Sequence, residues 1–245
     1  MSAFLFLVLG IFDDLKAFSP ALKFGLQLVI ALIAVKLGNR LGDSFASVLI
    51  SILWILTLVN AYNFIDVCDG LAAGVGAIGL AALAFGNAAG GIYPLAACGA
   101  TLGFLSFNVP PASIFLGDAG SHMIGFLAAA FSISFVREGH LWPRGAEAML
   151  ISGVPLFELV FITSVRLCKH RPWWRGSADH FSLRLQAIGL TRLQSDICGW
   201  SMAALLAVVG LSLERLSPSS GMSCIMIAIV LLLACAGMLL RYDAS

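Results

Sequence analysis

A chain of 245 residues that is 60% hydrophobic and 11% charged has too little polar surface to cover a globule in water; an ordinary soluble domain carries about 25% charged residues. This argues against a soluble enzyme, a disordered tail or a nucleic-acid-binding domain, and for an all-α polytopic membrane protein. The net charge of +1, from 14 Lys+Arg against 13 Asp+Glu, selects no partner by itself.

Hydropathy marks nine apolar segments in chain order: 1–12, 21–38, 46–62, 71–87, 92–108, 119–136, 147–167, 196–214 and 222–240. About eight or nine transmembrane helices are expected in one domain spanning 1–245. Residues 1–12 lack a basic n-region and a small-residue cleavage site, so they read as a helix reaching an interface at Asp13-Asp14, not as a signal peptide. That segment falls short of the ~20 residues a crossing needs, so it is either a cut-off helix or re-entrant. Gly74, Gly76 and Gly79 lie near one face of the fourth segment and suit close packing in lipid. The six cysteines, with no CxxC pair, read as small apolar fillers.

Strict alternation puts the connections 13–20, 63–70, 109–118, 168–195 and 241–245 on one side of the membrane, and 39–45, 88–91, 137–146 and 215–221 on the other. Nine Lys and Arg lie near the first side and five near the second, so the first is expected to be cytoplasmic. Asp13, Asp14, Asp66, Asp69, Asp118 and Asp179 all fall on that first side, at helix ends with apolar flanks. Ionised groups there are costly unless paired or metal-bound, which points to a metal or phosphate site.

Four constellations carry the chemistry. Adjacent Asp13 and Asp14 favour a hard divalent cation or a division of roles between ligand and base, and Lys16 suits a phosphate. Asn60, Asn63, Asp66 and Asp69 recur every three positions as one polar stripe, which needs an aqueous or metal-lined cavity or else forms a helix-packing network. Gly117 and Gly120 permit close backbone approach, the start of the next helix favours an anion, and Asp118 beside it suggests a bridging cation. Phe115 either stacks a base or packs against apolar neighbours. Asp179-His180 with Arg184 lies in the long basic loop, where a short surface helix near 179–187 is expected and His180 suits acid–base work or phosphate binding. Trp173-Trp174 read as interface anchors, and Glu158 as an intramembrane functional group or a helix-packing partner. Together these parts suggest membrane phosphoryl transfer with a metal and a lipid-bearing substrate.

The segments Gly10-Ile-Phe-Asp13-Asp14-Leu-Lys16 continuing to Lys23 and Gln27, Asn60 to Gly70, Pro111 to Ser121, Pro155-Leu-Phe-Glu158 and the His180 loop follow one another in an order that resembles the polyprenyl-phosphate N-acetylhexosamine-1-phosphate transferase family, of the glycosyltransferase family 4 type. The resemblance covers nearly the whole chain. It implies transfer of a sugar-1-phosphate from a UDP-sugar to undecaprenyl phosphate with release of UMP, using Mg²⁺ or Mn²⁺, at the cytoplasmic face of the inner (plasma) membrane. It implies catalytic roles for Asp13, Asp14, Asp66, Asp69 and His180. Substrate contacts are implied for Lys16, Asn60, Asn63, Phe115, Gly117 and Arg184, with Phe115 stacking on uracil, and metal ligation for Asp118 with Asp14. The expected partners are the UDP-sugar, the lipid phosphate, membrane lipid and a second copy of the chain as a homodimer, with no nucleic acid.

Departures from the family pattern are also visible. Met1 starts inside the helix before Asp13, so the family's first two helices are expected to be lacking. Val67 stands where the family has Gly, Glu158 where it has Asp, and the His-x-His-His cluster is reduced to His180-Phe-Ser182-Leu183. Looser members using UDP-N-acetylhexosamines fit better than the muramoyl-pentapeptide branch. The rival readings are a truncated, inactive homologue and a carboxylate-based membrane transporter, the latter requiring acids near the bilayer middle or on both faces.

Overall fold

A computed structural model describes residues 1–86, 91–172 and 177–242. Among them it contains eleven α-helices, one 3₁₀ turn and no strand: α1 (Ser2–Lys16), α2 (Pro20–Lys36), α3 (Phe45–Ile65), α4 (Leu71–Gly86), α5 (Ile92–Asn108), α6 (Gly117–Arg137), α7 (Leu141–Ile151), α8 (Gly153–Cys168), α9 (Phe181–Ala187), α10 (Arg192–Ser212) and α11 (Pro218–Leu239). The protein is an all-α polytopic membrane protein. Four helices are long and apolar enough to cross a bilayer, α3, α6, α10 with its 3₁₀ extension, and α11; the bent pair α7–α8 makes a fifth if counted as one span. The remaining expected crossings fall on helices of 15 to 17 residues.

Local chemistry explains where the helices start. Ser19 accepts a hydrogen bond from the Leu22 N–H, with Pro20 in the first turn, so only three residues separate α1 from α2. Ser44 caps α3 in the same way, and Thr191 with Gln194 forms a capping box that starts α10 at Arg192, earlier than the hydropathy boundary. α1 runs through Lys16 and α3 through Ile65, so Asp13, Asp14 and Asn63 are helical residues and not loop residues. The expected single span 147–167 is two helices bent by 66° at Ser152. The short helix expected near 179–187 is α9. Trp173 and Trp174 lie outside the described residues.

α6 is the central helix and packs on α1, α3 and α4. Phe6 of α1 stacks on Phe126 of α6 with ring centroids 5.1 Å apart. The two backbones meet at Gly10, where a Cβ would land on the Asp118–Ala119 main chain. This close approach brings the end of α1 to the start of α6. Gly74 takes the Trp200 indole of α10, and Gly76 takes Ile124 of α6.

At the other end of α6, Arg144 pairs with Glu214 at 2.5 Å, donates to the Gly86 carbonyl at 2.8 Å and lies 4.2 Å from the Phe135 ring centroid. It thereby ties α4, α6, α7 and the 3₁₀ turn Leu213–Arg215 together.

Gly10→Val should lower the thermal unfolding temperature in detergent through overpacking of about 1–3 kcal/mol or more. Gly25→Ala, where an added Cβ meets nothing within 4 Å, should be neutral or stabilising by up to about 1 kcal/mol. Equal losses in the two variants would refute the packing account.

Candidate functional site

Two helix ends, of α1 and α3, and two helix starts, of α2 and α6, converge on a cavity of about 330 Å³ lined by Asp13, Ala17, Phe18, Pro20, Lys23, Phe24, Asn60, Asn63, Phe64 and Asp118. Asp13, in the last turn of α1, accepts the Phe18 N–H at 2.6 Å and pairs with the Lys23 ammonium at 2.8 Å. The same ammonium lies 2.6 Å from Asp118 Oδ2 and 3.4 Å from Asn63 Oδ1. Asn63 donates to Asp118 Oδ1 and to Ser121 Oγ at 3.2 Å. Lys23 and Asn63 thus hold the Asp118 carboxylate from two sides.

Asp14 performs a different task. Its two oxygens accept the N–H groups of Asp118 at 2.9 Å and Ala119 at 3.2 Å, donors that the first turn of α6 leaves without helical partners. The carboxylate also complements the positive end of the helix. Gly117 makes this possible: its φ is +63°, and a Cβ there would stand 2.8 Å from Asp14 Oδ2.

The polar stripe on α3 divides between its two possible fates. Asn63 joins the acidic cluster. Asn60 lines the cavity wall, but its amide donates to Gln27 Oε1 at 2.9 Å and to the Leu56 carbonyl, while Gln27 Nε2 meets His122 Nε2 at 3.2 Å. This polar layer stiffens the floor of the site. Beyond α3, Asp66 is pushed up to about pH 7 by burial first and then by Asp118, Asp14 and Asp69. Asp69 lies 3.6 Å from Arg192. The Asp66–Gly70 turn is fixed by the Gly70 N–H donating to Asn108 Oδ1 at 2.9 Å and by Trp200 Nε1 donating to the Gly70 carbonyl at 3.3 Å.

A second buried cluster adjoins this turn. The Cys68 thiol donates to Ser182 Oγ at 3.3 Å and accepts from Gln186 Nε2 at 3.2 Å, seating α9 against the turn. Burial raises the Cys68 thiol, so it stays neutral. His180 Nδ1 is 2.5 Å from Glu158 Oε1, and Glu158 Oε2 accepts the Phe181 N–H at 3.3 Å. Asp179 pairs with Lys169 at 2.7 Å and Arg184 at 2.8 Å, with Arg171 at 3.7 Å. Arg166 of α8 lies over the Phe64 ring, whose other edge lines the cavity.

The structure therefore brings Asp13, Asp14, Asn63, Asp66, Gly117 and Asp118 together, with Asp69 on the adjoining turn and His180 in the neighbouring cluster. Lys16 is exposed and absent from the cavity wall, and Phe115 is exposed at 75%, also outside the lining. Arg184 is only 2% exposed and is bonded to protein. Lys23 is the central residue that the motif reading gave no task. The signal for it was the short Ala17–Ser19 link, which returns the first turn of α2 to the end of α1.

Among the described residues, no three His, Cys, Asp or Glu side chains form a ready set of metal ligands. The charge balance nevertheless suits a cation. Asp13 and Asp118 share the single Lys23 ammonium, Asp14 is held by backbone donors, and Asp66, raised mainly by burial, is raised further by Asp118, Asp14 and Asp69. A hard divalent ion taking oxygen ligands from Asp118, with Asp14 behind it, fits that surplus.

The profile of glycosyl transferase family 4 matches residues 1–136. A Bacillus subtilis (strain 168) protein named "Probable undecaprenyl-phosphate N-acetylglucosaminyl 1-phosphate transferase" is 30% identical over 231 residues, covering 87% of this chain and 64% of the relative. A Thermotoga maritima protein named "Undecaprenyl-phosphate alpha-N-acetylglucosaminyl 1-phosphate transferase" is 30% identical, covering 63% of this chain and 49% of the relative. A Deinococcus radiodurans protein named "Phospho-N-acetylmuramoyl-pentapeptide-transferase" is 37% identical, covering 50% and 37%. The chain spans 37% to 64% of the length of these relatives.

Burial pushes the Asp179 carboxyl up, but Lys169 and Arg184 outweigh it and hold the group below its ordinary range. Its stabilisation is complete above about pH 4, the unfolded value, and is lost as pH falls through the lower folded value. Asp179→Asn should cost about 3–5 kcal/mol at neutral pH, because it strands buried cations. The gap from the parent should shrink as pH drops below about 4, read from unfolding temperature against pH. A constant gap down to the acid limit would reject the ion-pair assignment.

Proposed function

Because the chain belongs to glycosyl transferase family 4, we propose that it transfers a sugar-1-phosphate, an N-acetylhexosamine 1-phosphate, from a UDP-sugar to undecaprenyl phosphate, releasing UMP and starting a lipid-linked cell-wall or surface polysaccharide. One observation carries the reading: acids and an ammonium from three separate sequence segments meet around a single cavity at one end of the helices. A carboxylate-driven transporter would place its acids deep between spans, whereas Asp13, Asp66 and Asp118 sit at helix ends, and the one acid of the motifs that lies within a span, Glu158, is engaged by His180 and the Phe181 N–H. The excess of Lys and Arg on this side supports a cytoplasmic site in the plasma membrane.

In the reaction, an oxygen of the lipid phosphate attacks the sugar-bearing phosphorus of the donor, and the bond to the UMP phosphate breaks. Bringing two anionic phosphates among carboxylates requires positive charge. Lys23 supplies one such charge and is placed to hold a phosphate oxygen as it leaves its contact with Asp13 or Asp118. Asp13 positions the lipid phosphate and takes its remaining proton. Asp118, with Asp14 behind it, would hold Mg²⁺ or Mn²⁺, which neutralises the pyrophosphate and its transition state. Asn63 keeps the Asp118 carboxylate oriented, Asp66 and Asp69 shape the donor side, and Phe115 is free to stack on uracil. The apolar wall of Phe18, Phe24 and Phe64 suits the first isoprene units of the acceptor.

The test is the purified chain with UDP-GlcNAc, undecaprenyl phosphate and Mg²⁺. UMP should be released, EDTA should abolish the release, and Asp118→Asn should reduce it by at least about a hundredfold, the order seen when a preorganised electrostatic group is removed. Absence of UMP release from the parent protein with any UDP-N-acetylhexosamine would overturn the reading, and full activity in Asp118→Asn would overturn the metal assignment.

A further inference from the structure

An arginine five residues from an aspartate in a basic loop ordinarily reads as a phosphate ligand. Such a ligand must present its N–H groups to an open cavity. Arg184 does the opposite. Its Nε donates to the Asp179 carbonyl at 3.1 Å and its Nη2 to Asp179 Oδ1 at 2.8 Å. Its Nη1 donates to the Leu239 carbonyl at 3.1 Å and to the Tyr242 carbonyl. Leu239 is the last residue of α11 and Tyr242 lies three residues beyond it, so both carbonyls sit at the negative end of that helix. A guanidinium, with donors fanned in one plane, can span a carboxylate on one side and a helix end on the other.

α11 makes this contact informative. It is the most apolar of the long helices, with mean hydropathy 2.7, and only 11% of its apolar window is buried within the chain. By composition it is a lipid-facing addition at the edge of the bundle. Yet its last turn closes a continuous run of contacts: α11 carbonyls to Arg184, Arg184 to Asp179, and from the adjoining residue His180 to Glu158 of α8. Glu158, Asp179, His180 and Arg184 are all buried. His180 is thereby tied from two directions: its Nδ1 meets Glu158 Oε1, and the carbonyl of the residue before it accepts from Arg184.

We infer that Arg184 is a positioning residue and not a substrate ligand, and that the C-terminal end of α11 is part of the scaffold that holds His180 in its working orientation. The role given to His180 rests on the proposed transferase reading; the clamp itself rests on the contacts alone.

The experiment uses the full chain in detergent and compares the parent with Arg184→Gln and Arg184→Lys. Parent UMP release is measured first and tests the transferase reading separately. Arg184→Gln should lower kcat by about tenfold or more, within the range for a disturbed general acid or base, while KM for the UDP-sugar stays within about twofold. Trypsin cleavage after Arg241 under native conditions should accelerate severalfold in the same variant, because the α11 end is released. Arg184→Lys, which restores charge beside Asp179 without the planar fork, should recover part of kcat and little of the protection, and it carries the test if Arg184→Gln does not fold. A rise in donor KM with kcat unchanged would make Arg184 a direct ligand. Unaltered cleavage after Arg241 would remove the clamp. Either result overturns the inference.

Discussion

The Lys23 ammonium stands between the carboxylates of Asp13 and Asp118, with the Asn63 carbonyl oxygen as a third acceptor. α1, α3 and α6 each contribute one of these acceptors, and the two carboxylates, Asp13 buried and Asp118 half-buried, would be costly to bring together without an opposing charge. The positive group makes their convergence tolerable, and their convergence defines the cavity. The close backbone contact at Gly10 and the Asp14 cap on α6 fix the geometry within which that exchange of charge takes place.

Two layers support the acidic cluster. Beneath it, Asn60, Gln27 and His122 form a buried polar row that fixes the α2–α3–α6 spacing. Beside it, α9 rests on the Asp66–Gly70 turn through Cys68 and carries the His180–Glu158 pair. Reacting groups held this way need little rearrangement when ligands arrive, which is where much of the advantage of a preorganised site lies.

The membrane class, the grouping of the acids on one face and the order of the chemical segments were legible in the sequence, because each depends on local signals: apolar run length, charge position and residue spacing. The Asp13–Asp14 pair, Asn63 and Asp118 could be selected for the same reason. What could not be read was the division of labour. Asn60 and Asn63 are equivalent on a helical wheel and part company because Gln27 faces one and Asp118 the other. Arg184 reads as a substrate contact, and the structure instead places the carbonyl of Leu239, 55 residues later, on its guanidinium. Lys23 becomes central through the turn between α1 and α2, which places it opposite residues about 40 and 95 positions away. The bend at Ser152 follows from Ser152-Gly153 and from Pro155, which has no N–H to give the Ile151 carbonyl, whereas hydropathy alone runs through these residues as one span.

The unequal helix lengths bear on the lipid around the protein. α11, at 22 residues, extends about 33 Å at 1.5 Å per residue and matches a hydrocarbon layer of about 30 Å. α5, largely exposed along its length, has 17 residues and reaches only about 25 Å. Where both helices face lipid, local thinning beside α5 would relieve the mismatch. Lipids with shorter tails would then be the better match on that flank.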